Sequence, residues 1–123
     1  MKKTKKDAFF CLNTLVDRLS HNNFYSLVTD HKIIYSLILG LNESIDVDSE
    51  MTTEIISAII KLVEKSSQVF KSQGNIVINE LESQYRLTKI LEGILHNSHN
   101  QIVLENADRL HRMIAGDLWG ENF

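Results

Sequence analysis

Proline is absent from the 123 residues, and glycine occurs five times. The chain therefore holds few of the residues that most often interrupt helices. Strand-like alternation is scarce, and apolar residues recur at spacings of three and four. The expected fold class is all-α. The single cysteine, Cys11, excludes an internal disulfide. It stands in an apolar run, reads as a small core residue, and favours a reducing, intracellular setting. No uninterrupted apolar run approaches about 18 residues, so neither a membrane span nor a membrane partner is expected. The opening "MKKTKKDAFFCLN" has a charged start. It lacks the apolar stretch and small-residue cleavage site of a secretory leader, and none is expected. A P-loop, a dinucleotide fingerprint, a nucleophile motif and paired carboxylates in apolar surroundings are also missing. Neither enzymatic activity nor a cofactor is expected.

Charge is present but uneven. The net charge is −3, and Lys2, Lys3, Lys5 and Lys6 all fall in the first six residues. Without those four positive charges, residues 7–123 carry −7. An acidic body argues against nucleic acid, because phosphate binding needs a basic face. The lysine cluster reads as a solvated tail, with a basic address peptide as the sharper alternative.

The apolar spacing places a first helix over about 5–19. "SHNN" (20–23) breaks it with turn-preferring side chains, and a short apolar piece follows at 24–28. A helix over 32–41 is apolar nearly all round. The polar connector "NESIDVDSE" leads into the longest helix, about 50–71, with Asp48 or Ser49 as its N-cap. Its inner stripe is Ile55, Ile56, Ile59, Leu62, Val63 and Phe70, and Gly74 in "KSQGN" ends it. The plan then repeats. A short helix at 76–83 precedes one at 86–95, with Leu87, Ile90, Leu91, Ile94 and Leu95 inward. The last, about 99–115, buries Ile102, Val103, Ala107, Leu110 and Ile114, and Gly116 stops it.

A short, medium and long helix, repeated once, suits an armadillo or HEAT-like right-handed superhelical solenoid of about two and a half three-helix repeats. One repeat domain is expected over 1–123. Residues 1–21 would be a basic tail plus the last helix of a partial repeat, 22–73 a full repeat, and 74–123 a terminal capping repeat. An open repeat end leaves the chain free to self-associate.

Three histidines, His96, His99 and His111, cluster in "ILHNSHNQIVLENADRLHRMI". A zinc site would need two further ligands. His111 stands about 18 Å along a helix from His99 at 1.5 Å per residue, too far to share one ion. No metal is expected. Ser98 followed by Gln101 fits a capping box, which explains the corner without chemistry. His96, His99 and Asn100 are candidate partner contacts. Trp119 and Phe123 lie past the periodic stripe, where they either fold back on the core or meet a partner, and Trp119 joins the candidate contacts. His21 and His31 flank turns and read as solvated.

The order of these segments resembles the C-terminal armadillo repeats of the importin-α family. "LTKILEGILHNSHNQIVLENADRLHRMIAGDLWGE" (87–121) is similar to that family's final repeat. The matching positions are Leu87, Lys89, Ile90, His99 or Asn100, Ile102, Ala107, Leu110 and Ile114. "KKDAFFCLN" (5–13) is similar to "KEAAWAITN" of an earlier repeat, and "YSLVTDHKIIYSLILGL" (25–41) resembles "KYLVEQGCIKPLCDLL". Each motif is short, and their collinear order carries the likeness.

The resemblance implies a non-enzymatic protein-interaction module of nucleocytoplasmic transport, cytoplasmic and nuclear. Its implied partner is an importin-β-type export receptor with Ran-GTP. In the family, tryptophan and asparagine on an inner groove read basic localisation peptides. Here only Phe9 with Asn13 matches that pair, Lys61 stands near the groove, and the glycine-rich corner after the asparagine is "TLVDR". A basic peptide is thus at most a secondary partner. The alternative is a free-standing helical-repeat scaffold or inhibitor subunit of another complex.

Overall fold

A computed structural model of the chain describes residues 33–45, 47–69 and 76–118, together with Arg18, Ser20, Asn23, Phe24 and Ser26. Most of the 5–19 segment lies outside the described residues, as do Phe9, Cys11, Asn13, Phe70, Gly74, Trp119 and Phe123. Among the described residues there are five α-helices and no strand. They are α1 (Ile33–Ser44), α2 (Ser49–Val69), α3 (Ile76–Tyr85), α4 (Leu87–Asn97) and α5 (Gln101–Leu118). The fold is all-α, as the spacing predicts.

The long helix α2 is central and packs on both α1 and α5, while α4 packs on α5. Its central place explains why it is buried on more than its predicted stripe. Met51, Ala58 and Ile60 join Ile55, Ile56, Ile59, Leu62 and Val63 in the core. Each isoleucine, leucine or valine among them contributes about 1.5–3 kcal/mol on full burial. Upstream, Ser20 stands ahead of a helical turn. Its Oγ accepts from the Asn23 amide at 3.3 Å, and buried Phe24 docks on the same core.

Several boundaries differ from the sequence reading. Helix α1 runs on to Ser44, through what reads as connector. Ser44 is buried, and its Oγ lies 2.8 Å from Thr52 Oγ1 across the corner, so the hydroxyls that look like a break are partnered inside it. Helix α5 passes Gly116 and ends at Leu118. Glycine is a permissive residue and not a compulsory stop when the helix is held by packing upstream.

Arg86, expected inside α4, instead sits before it with φ 51° and ψ 54°. This left-handed residue is the whole joint between α3 and α4. The sharp turn places the Glu82 carboxylate over the start of α4. Glu82 Oε1 accepts from the Thr88 amide at 2.7 Å and Oε2 from the Thr88 hydroxyl at 2.9 Å. A carboxylate there answers both an orphan amide and the positive end of the helix.

Burial repeats along the chain. A shift of 53 residues carries Ile34, Ile38 and Leu41 of α1 onto Leu87, Leu91 and Ile94 of α4, all six buried. A shift of 52 carries Met51, Ile55, Ala58 and Leu62 of α2 onto Val103, Ala107, Leu110 and Ile114 of α5, again all buried.

Candidate functional site: two adjacent helix corners

The start of α2 is fixed by Asp48, whose Oδ1 accepts from the Met51 amide at 3.1 Å. This agrees with the predicted cap. The same shift of 52 residues carries Asp48 onto Asn100, and Asn100 caps α5. Its Oδ1 accepts from the amides of Ile102 at 3.0 Å and Val103 at 3.1 Å. Ser98 is therefore not the N-cap, and the capping box with Gln101 does not form. The Ser98 hydroxyl instead accepts from the Asn100 amide at 3.2 Å, holding the turn before the cap. Gln101 turns forward, its Nε2 donating to Glu105 Oε2 at 3.1 Å. Register decides between the two candidates. Val103, Ala107, Leu110 and Ile114 form the buried stripe, which sets the first turn of α5 two residues later than a Ser98 cap would. The same register turns Ile102 outward, 59% exposed, against the expectation that it is buried.

The two corners meet. Ile45, Val47, Asp48 and Ser49 of the first, with Asn97, Ser98, His99 and Asn100 of the second, line one open hollow of about 430 Å³. A narrower cleft of about 230 Å³ continues from it between the end of α1 and α4. Its wall includes Ile45, Ile90 and Ile94, with Asn42, Lys89 and Asn97 among its polar groups. Gly93 belongs to this wall, and a Cβ added there would meet nothing within 4 Å, so the cleft is open at that point. Helices α2 and α5 both start at the shared corner and lie side by side. They are bridged where Arg109 Nη2 reaches Glu64 Oε2 at 2.8 Å, so the two long helices run in the same direction. That ion pair is largely exposed and contributes little to stability.

Of the predicted contacts, His99 and Asn100 line the hollow. Asn100 is engaged in capping, so its side-chain oxygen is committed to the fold. His96 is exposed on the last turn of α4 and is not part of the lining, and Trp119 lies outside the described residues. His111 stands apart, its Nε2 3.5 Å from Glu92 Oε2. No group of three or more His, Cys, Asp or Glu comes together among the described residues. No helix among them is long and apolar enough to cross a membrane.

Ile45, Val47 and Asn97 are the site residues that sequence reasoning misses. Val47 is 83% exposed on the corner. An apolar residue between acidic ones in "SIDVDSE", at the point equivalent to "NSHN", is the signal that an alignment of the two halves offers. Chemically, the hollow offers amides, hydroxyls, an imidazole, the Asp48 carboxylate and an exposed valine. Comparison with protein families, with curated proteins and with solved structures finds no match.

Proposed function

We propose that this chain is a helical-repeat binding module of the armadillo type, a right-handed solenoid of about two and a half repeats. Within that class, we propose that it acts as the C-terminal repeats of importin-α do. It binds an importin-β-type export receptor together with Ran-GTP, in nucleocytoplasmic protein transport, without catalysis. The observation that carries the reading is the pairing of equivalent corners. Asp48 and Asn100 cap α2 and α5, 52 residues apart, and the two caps line one hollow. Neighbour-on-neighbour stacking of like parts is what a solenoid requires, and the sequence resemblance supplies the family.

The docking edge would be the corner hollow and its rim, with Val47 as apolar anchor and Asn97 and His99 as adaptable polar contacts. A basic localisation peptide is a weaker partner. Lys61 stands one turn before Glu64 on α2, and a lysine there disfavours lysine-rich cargo. Any residual peptide slot belongs to Phe9 and Asn13. The same observation favours a second reading, a scaffold subunit without a transport role. A pull-down with an export receptor, with and without Ran-GTP, separates the two. Capture dependent on Ran-GTP supports transport, and no capture at low salt under either condition removes it.

A further inference from the structure

A second surface lies on α1 and α3, away from the corner residues. Tyr35 on α1 is 51% exposed, and Leu39, one turn on, is 45% exposed. The Tyr35 ring lies against that of Tyr85 at the end of α3, centroids 6.4 Å apart and planes tilted by 45°. Tyr85 in turn walls an open hollow of about 440 Å³ with Asn79, Glu80, Ser83 and Gln84. No described lysine or arginine pairs with Glu80. Glu80 is near enough that its charge adds to burial in raising the Tyr85 phenol, while Arg86, next in sequence, is not among the groups that shift it.

We propose that the Tyr35–Tyr85–Glu80 face is a docking site for a basic side chain of a partner protein, arginine or lysine. The rings touch each other, so the cation rests over their exposed faces and not between them. Aromatic faces attract cations and accept aliphatic stems, and the Glu80 carboxylate supplies the counter-charge. The amides and hydroxyls of Asn79, Ser83 and Gln84 are rim partners for a peptide backbone. An acidic segment would meet Glu80 unfavourably, and the chain's net charge of −3 adds attraction for a basic one.

The test is fluorescence anisotropy of the full chain at low ionic strength with a labelled peptide of alternating arginine and glycine, against the glutamate–glycine counterpart. The arginine peptide binds saturably and the glutamate peptide does not. Tyr35→Leu and Glu80→Gln each weaken binding by about fivefold. Glu105→Gln, on α5, leaves it unchanged. Equal losses in Glu80→Gln and Glu105→Gln would reduce the effect to general acidity and overturn the proposal, as would an unaffected Tyr35→Leu. In the unaltered chain the peptide shifts the ring resonances of Tyr35 and Tyr85, and unshifted rings overturn it independently of any variant. Tighter peptide binding after replacing Lys2, Lys3, Lys5 and Lys6 by serine would assign the face to the chain's own lysines. Concentration-dependent dimerisation abolished by Tyr35→Leu would assign it to a second copy. Either result overturns the partner site.

Discussion

Replacing Glu82 by alanine removes both bonds that tie the start of α4 to α3, at 2.7 and 2.9 Å from the Thr88 amide and hydroxyl. Both partners of this clamp are half-buried. Hydrogen bonds to a charged group in such a setting contribute roughly 1.5–3 kcal/mol each, less when water can replace the lost partner. The loss also leaves Arg86 in its left-handed conformation without the clamp that enforces it, and such a residue costs about 1 kcal/mol. The expected destabilisation of Glu82→Ala is about 2–3 kcal/mol. Thr88→Val, which keeps the amide bond, should lose about 1 kcal/mol. In the double variant the two effects should fall short of additivity by about 1 kcal/mol, because one bond is counted in both. Urea unfolding followed by far-ultraviolet circular dichroism reads all three. A Glu82→Ala loss under about 0.5 kcal/mol, within the range of an ordinary surface substitution, would refute the clamp.

Three further outcomes follow from particular residues. Asn100→Ala should cost about 1 kcal/mol through loss of the α5 cap, and Ser98→Ala well under half of that, by the same unfolding measurement; the reverse order would restore the capping box. Ser66 is fully buried on α2, and its hydroxyl has no hydrogen-bond partner among the described residues. Ser66→Ala should therefore raise stability by about 1 kcal/mol, and a clear loss would reveal a partner for that oxygen. Burial, then Glu80, then Tyr35 raise the Tyr85 phenol above its ordinary 10.0. The folded state then holds this proton more tightly than the unfolded chain. Its contribution to stability is complete below pH 10.0 and is lost as pH rises through the higher folded value. Ultraviolet titration should show a late-ionising tyrosine that disappears in Tyr85→Phe.

What the sequence made legible was local. Spacing of three and four located α1 to α5, and Asp48 was readable as a cap because an acidic residue stood before an apolar stripe. The Asn100 cap was also within reach. Val103, Ala107, Leu110 and Ile114 keep the three-and-four rhythm, while Ile102 leads to Asn106 and Arg109 and so belongs to the outer face. Ser98 misled because serine is as good a cap as asparagine, and only the burial stripe distinguishes them. Arg86 carried no signal at all, since a left-handed joint usually announces itself with glycine. The Glu82 clamp spans six residues around a bend that no helix-capping pattern anticipates. The shared hollow was beyond reach for a different reason. It brings Ile45 and Val47 beside Asn97 and His99, about 50 residues away, and only the packing of α2 on α5 fixes that approach.

We propose that the paired corners form the edge on which a transport receptor rests. Equilibrium binding of the full chain to an importin-β-type export receptor, with and without Ran-GTP, tests it most directly when repeated with Asn97→Glu/His99→Glu. Both side chains are exposed, and neither caps a helix. The account predicts binding that depends on Ran-GTP and weakens about tenfold in the double variant, equivalent to about 1.4 kcal/mol. Absence of binding in both nucleotide conditions, or binding indifferent to the double variant, would contradict it.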